Sequence, residues 1–355
     1  MSLLSRVRPD IRVLKPYSAA EQVTEATRLN ANESPWATGA DRYRRPLNRY
    51  PEVRPAQLRR RLADRFGCQE ERLLVTRGSS EAIDLLVRAF CDAGSDSVVV
   101  SSPSFSMYEH YARVQGAAVR EVALDPDDDF QFDVSRVLDA VDESTKLVFV
   151  CSPNNPTGTQ VERDAILHLL DKLRNRAAVV VDEAYIEFSS EPSLADRVED
   201  NGNLIVLRSL SKALAHAGVR CGAAIGPAEI IATLNALQAP YALATPVVEC
   251  IENAFDEDRL SEADAQVEDI VAERNRLAAL FSDLPFVNRV WPSNANFLLV
   301  RFESIEQVRS IAERDGLLLR YLGAPLESCA RITVGTPEEN DRLLECLAQI
   351  EESHA

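Results

Sequence analysis

Leu147-Val148-Phe149-Val150-Cys151, Ala178-Val179-Val180-Val181-Asp182 and Leu204-Ile205-Val206-Leu207 are three short apolar runs, rich in β-branched residues and separated by longer amphipathic or polar stretches. Runs that are apolar at every position, not at alternate ones, suit strands buried on both faces, as in a parallel sheet covered by helices. Working outward, similar runs occupy 73–75, 98–100, 118–122 and 221–225, and helical periodicity fills 79–91 and 163–173. The pattern predicts βαβ units and an α/β fold: a large domain with a mostly parallel, helix-covered sheet. Beyond residue 256 the texture changes. A long acidic helical segment leads to strands expected at 296–301, 317–320 and 331–334 and helices at 305–314 and 337–350, a smaller α+β domain. The expected division is therefore an N-terminal arm of residues 1–45, irregular and laid over another surface, a large domain of residues 46–256 and a small one of residues 257–355.

Composition narrows the function. With 39 Lys+Arg against 56 Asp+Glu, the net charge of −17 excludes a generic nucleic-acid binder, which needs clustered cations. At 46% hydrophobic residues the chain can bury a sizeable core. No apolar run is long enough to span a bilayer and the start lacks a signal-peptide pattern, so a cytoplasmic location is expected. Seven scattered cysteines with no C-x-x-C, and four histidines in no ligand-like spacing, predict free thiols and no metal site. Two charge blocks stand out. Nine arginines lie between Asp41 and Arg65, and nine acidic residues against Arg259 alone from Glu252 to Glu273. Both read first as solvated helix faces; for the basic block, a dimer interface or the entrance to a site is the alternative.

Chemistry concentrates in four segments that follow predicted strands. In Ser209-Leu210-Ser211-Lys212 with Arg220 eight residues on, the amine suits an imine with an aldehyde cofactor, and the hydroxyls and guanidinium suit a phosphate; alone, an ordinary surface lysine reads as well. In Val181-Asp182-Glu183-Ala184-Tyr185 a buried carboxylate at a strand end requires a cationic partner, such as a protonated pyridine nitrogen, with a phenol three residues away. A magnesium role for Asp182 lacks the G-x-x-x-x-G-K-[ST] loop that accompanies it. Cys151-Ser152-Pro153-Asn154-Asn155-Pro156-Thr157-Gly158 makes a rigid turn at a strand's carboxyl end, where ligands of open α/β sheets bind. Arg77-Gly78-Ser79-Ser80-Glu81 opens a helix whose free amides suit a phosphate or are simply capped.

Taken in order, these segments with Gly218-Val219-Arg220-Cys221-Gly222 resemble the fold type I pyridoxal-phosphate (PLP) aminotransferases, and within them the histidinol-phosphate branch. The likeness extends to Pro16-Tyr17, Leu29-Asn30-Ala31-Asn32-Glu33, Asn48-Arg49-Tyr50-Pro51-Glu52, Ser293-Asn294-Ala295-Asn296-Phe297 and Arg331-Ile332-Thr333-Val334-Gly335. The resemblance implies that Lys212 bonds the cofactor and shuttles protons, Asp182 pairs with its ring nitrogen, and Tyr185 and Asn155 contact its ring oxygen. It implies that Tyr108 stacks on the ring and that Ser79, Ser80, Ser209, Ser211 and Arg220 hold the phosphate, joined by Tyr50 of the neighbouring subunit in a homodimer with composite sites. Tyr17, Asn155, Arg320 and Arg331 would bind substrate: Arg331 the carboxylate, Arg320 a phosphate. The implied reaction moves an amino group from glutamate to imidazole-acetol phosphate, in histidine biosynthesis. An aromatic-amino-acid aminotransferase or an amino-acid-phosphate decarboxylase would use nearly the same residues. A non-catalytic cofactor-sensing regulator would need a DNA-binding domain for which the arm leaves no room. His216 stands where an apolar residue is common and reads as a local variation.

Overall fold

In the computed structural model the described residues are 2–17, 28–37 and 43–352. Seven strands form the main sheet: β1 (Leu73–Thr76), β2 (Ser97–Ser102), β3 (Ala118–Ala123), β4 (Thr145–Cys151), β5 (Ala178–Asp182), β6 (Leu204–Ser209) and β7 (Gly222–Ile225). Their order is β1-β7-β6-β5-β4-β2-β3. All neighbours are parallel except β7, which runs antiparallel to both β1 and β6. Each predicted run is a strand, and the cause is visible in β5. Val179 and Val181 face one core, Ala178 and Val180 the other, and all four are essentially inaccessible. Helices Ser79–Phe90 and Met107–Gln115 pack on one face, Ala56–Phe66 and Arg163–Lys172 on the other.

The second sheet is wholly antiparallel, in the order β10-β11-β9-β8, from β8 (Val287–Val290), β9 (Phe297–Phe302), β10 (Arg320–Tyr321) and β11 (Cys329–Thr333). Strand β8 was not expected, and the strand expected at 317–320 shrinks to β10. Gly316 ends the preceding helix with φ +72°, and Leu317 donates its N–H back to the Ala312 carbonyl, so ladder pairing starts only at Arg320.

The arm is not wholly irregular. Leu3–Arg6 and Pro9–Arg12 make single helical turns, and Leu3, Val7 and Ile11 are buried against the large sheet's helical layer. The acidic block is largely the solvated face expected, with seven of its nine acids exposed, but the two blocks also meet each other. Buried Glu252 pairs with Arg44 (3.0 Å) and Arg45 (3.2 Å), Glu249 accepts the N–H groups of both, and Arg65 pairs with Asp264. Asp41 and Arg42 lie outside the described residues. Among those described, no helix is long and apolar enough to cross a membrane and no cluster of His, Cys, Asp and Glu could hold a metal.

Candidate active site

The chain runs outward through β2 and β3 and then returns through β4, β5 and β6, so the carboxyl ends of β4–β6 face the place where strand order reverses. Open α/β sheets place their ligand crevices there. A cavity of about 700 Å³ occupies it, roofed by Arg320, Arg331 and the 322–326 loop of the second sheet. Into it converge Ser79, Ser80, Asn155, Asp182, Tyr185, Ser209, Ser211, Lys212, Arg220, Arg320 and Arg331. Eleven of the fourteen residues singled out from the sequence thus line one cavity.

The anion end is built by backbone. Gly78, at φ +72° and ψ 169°, turns the chain from β1 into helix Ser79–Phe90, and Glu81 reaches back to the Arg77 N–H at 2.7 Å. The first N–H groups of that helix are left free for an anion. Arg220, itself left-handed at φ 56°, donates to Ser211 Oγ (3.1 Å) and the Ala217 carbonyl (3.1 Å). Glycine is required twice here, at Gly78 by its positive φ and at Gly222 by the close approach of backbone. A Cβ on Gly78 would lie 2.7 Å from the Arg220 guanidinium, and one on Gly222 would lie 2.5 Å from the Arg208 carbonyl oxygen and 2.9 Å from the Ser79 nitrogen. Gly222→Ala should therefore lower stability by roughly 1–3 kcal/mol and weaken phosphate binding, as read by urea unfolding and by competition with inorganic phosphate. Unchanged phosphate affinity would contradict this reading of the cradle.

The opposite wall carries the buried carboxylate. Asp182 Oδ2 accepts from the Tyr108 hydroxyl (2.8 Å) and Oδ1 from the Ala184 N–H (3.1 Å). Burial pushes Asp182 up to about 6, against the pull of Tyr108, Ala184 and Lys212. Lys212 is pushed down, first by burial and then by the charges of Arg331 and Arg220. Its Nζ stands 5.3 Å from the centre of the Tyr185 ring. Burial raises the Tyr185 phenol, so it remains a proton donor. Arg331 contacts Asn155 Oδ1, lies 5.4 Å from the Phe297 ring centre and sits directly across the β10–β11 ladder from Arg320. Among the described residues, no carboxylate lies within ion-pair distance of Lys212, Arg220, Arg320 or Arg331. In a chain of net charge −17, four uncompensated cations in one cleft mark it for anions.

Three expected residues are not in this cavity. Tyr108 is a correction: it is fully buried behind the wall, stacked on Phe149 (4.7 Å, 11°), and cannot stack on a ligand. Phe105, three residues earlier, lines the cavity instead, edge-on to Tyr108. Phe105 precedes helix Met107–Gln115 and Tyr108 lies in its first turn, and only packing distinguishes them. Tyr50 is half exposed and stacks on Tyr241 at 4.6 Å, and Tyr17 meets the same ring edge-on at 6.4 Å. Glu33, buried between Arg28 and Arg49, accepts the Tyr50 N–H and so fixes that segment. His216 lines a separate cavity with Phe255 and Arg259.

The family profile described as "Aminotransferase class I and II" matches residues 18–347. A histidinol-phosphate aminotransferase of Stenotrophomonas maltophilia (strain R551-3) is 44% identical over 352 residues, covering 98% of this chain and 96% of the relative. One from Parabacteroides distasonis is 41% identical, covering 96% of each. The crystal structure of histidinol-phosphate aminotransferase from Sinorhizobium meliloti in complex with pyridoxal-5'-phosphate superposes with a TM-score of 0.77. It is 24% identical, covers 87% of this chain and 84% of that one, and so speaks to the fold.

Proposed function

Since this chain belongs to the class I and II aminotransferases, we propose that it transfers the amino group of glutamate to imidazole-acetol phosphate, giving 2-oxoglutarate and histidinol phosphate, as a cytoplasmic enzyme. The observation that carries the reading is the cleft itself: one amine, one buried carboxylate and three unpaired guanidinium groups. These groups fit pyridoxal phosphate, and three features support that fit. An anion cradle sits at one end, where Gly222 leaves no room for a Cβ between the Arg208 carbonyl and the Ser79 nitrogen. Asp182 at the other is satisfied by the protein with one donor on each oxygen and still borders the cavity. Lys212 lies between them, its basicity lowered.

When bound, the cofactor supplies an aldehyde for the exchange of amino groups and an electron-accepting ring. The chain's residues do the rest. Ser79, Ser80, Ser209, Ser211 and Arg220 would hold the cofactor's phosphate, Asp182 would pair with its ring nitrogen, Tyr185 and Asn155 would donate toward its ring oxygen, and Phe105 rather than Tyr108 would contact the ring. Lys212 holds and returns a proton at Nζ. Arg331 binds the carboxylate of glutamate, and Arg320 the phosphate of the ketone. A guanidinium fork suits both anions.

The division at residues 45 and 256 belongs to the same reading. Along helix Glu257–Ser282, Leu260 and Ala263 pack on the large core while Leu277 and Phe281 belong to the small one. We also propose a homodimer in which Tyr50 reaches the partner's phosphate and Tyr17 closes over the substrate. Its support is the exposure of the large apolar side chains of Leu29 (90%), Trp36 (79%) and Tyr50 (50%), which a second copy would bury.

Purified protein assayed with glutamate and imidazole-acetol phosphate tests the reading; an absence of 2-oxoglutarate formation would defeat it. Arg320→Ala should raise KM for the phosphorylated ketone about tenfold or more while leaving the glutamate half-reaction nearly unchanged. Equal losses with phosphorylated and unphosphorylated amino acceptors would argue instead for an aromatic substrate.

A further inference from the structure

Tyr108 is the largest side chain of the candidate site that touches neither solvent nor the cavity. Its ring is held between Phe149 on one face and Phe105 at its edge (5.7 Å, 84°), and its hydroxyl donates to Asp182 Oδ2 at 2.8 Å with the Cys151 thiol also within reach. With the Ala184 N–H on Oδ1, each carboxylate oxygen has one fixed protein donor, so the plane of the carboxylate is set before any ligand arrives. We infer that Tyr108 is a positioning residue: from behind the cavity wall its hydroxyl orients the Asp182 carboxylate toward the cofactor's ring nitrogen. This rests on the reading of the cavity as a pyridoxal-phosphate site.

The charge balance around Asp182 agrees in sign. Facing it are Tyr108 from helix Met107–Gln115, Cys151 from β4, Lys212 from the segment after β6, and Tyr185 from its own loop. The Cys151 thiol donates to the Pro153 carbonyl at 3.4 Å, so it does not replace the phenol. Burial raises Asp182, and the Tyr108 hydrogen bond is the largest influence pulling it down. Removing that bond raises it further. The carboxylate then takes up its proton at a higher pH, and the form that can face a cationic ring nitrogen is lost sooner as the solution is acidified.

The test titrates full-length apoprotein with pyridoxal phosphate on both sides of neutral pH, reading protein fluorescence and visible absorbance. It compares wild type, Tyr108→Phe, Asp182→Asn and the double variant. Phenylalanine keeps the stack on Phe149. Tyr108→Phe should weaken cofactor binding about tenfold and move the acid limb of the binding curve up by about one pH unit. In the Asp182→Asn background it should add nothing. Incorporating a fluorinated tyrosine at position 108, a stronger donor with the fold intact, should move the limb the opposite way. Wild-type binding by Tyr108→Phe beside impaired Asp182→Asn, or an equal loss in both backgrounds, would overturn this inference alone. Failure of the wild type to bind, or an unimpaired Asp182→Asn, would overturn the site reading and this inference with it.

Discussion

Lys212→Ala is expected to reduce transamination at least about 10⁴-fold, because one substitution removes both the covalent anchor and the proton carrier. No neighbour can take over. Among the described residues, Lys212 is the only amine lining the cavity, and His216, the nearest histidine in sequence, opens onto a different one. Tyr185 is held protonated by burial, and Asp182 is already engaged by Tyr108 and Ala184. The low basicity of Lys212 also has a purpose: burial and two flanking guanidinium groups enlarge the fraction of neutral amine, the form that attacks an aldehyde. The variant should still take up pyridoxal phosphate through the anion cradle, but release it on dialysis, and its visible absorbance should match that of the free aldehyde. Single-turnover measurements with glutamate check the rate. Turnover within about tenfold of wild type would refute the assignment of Lys212.

Arg331→Leu should be the next most damaging change, with kcat/KM falling about a thousandfold for both half-reactions, equivalent to roughly 4 kcal/mol. Arg331 is braced by Asn155 Oδ1 and the Phe297 ring and has no carboxylate partner among the described residues, so its charge is available to substrate. Its loss acts on Lys212 as well. Arg331 is a like charge that lowers the lysine's basicity, so removing it raises that basicity, and more amine is protonated at any given pH. The acid limb of the activity profile should therefore move to higher pH. Arg331→Lys separates the two effects. It keeps the charge and loses the bidentate fork, so kcat/KM should fall while the acid limb stays in place. An unmoved limb in Arg331→Leu would show that the two groups are not coupled.

Much of this site was legible because it is written in short local segments. Asp182 ends a strand and Lys212, Asn155 and the Ser79-Ser80 pair lie within a few residues of one, and a strand's carboxyl end in an open α/β sheet faces the crevice whatever lies elsewhere in the chain. The expectations that needed correction are of another kind. Phe105 and Tyr108 differ by three residues, both aromatic, and which one borders the cavity depends on where helix Met107–Gln115 begins and how it seats against Phe149. The arginines from Arg44 to Arg65 and the acids from Glu252 to Glu273 read as separate blocks, and their meeting was not legible because the pairing spans about two hundred positions, as in Arg44 with Glu252. No periodicity reports a contact of that range.

The chain's order of apolar runs and turns settled the layered α/β core and the residues of the cleft floor, since burial on both faces forces unbroken apolar strands and glycine is needed where backbones touch. Tertiary structure alone decided the roof and the rear wall: the register that sets Arg320 opposite Arg331, and the phenol behind Asp182. Both depend on how distant segments pack, and packing is a property of the assembled whole that local propensity does not encode.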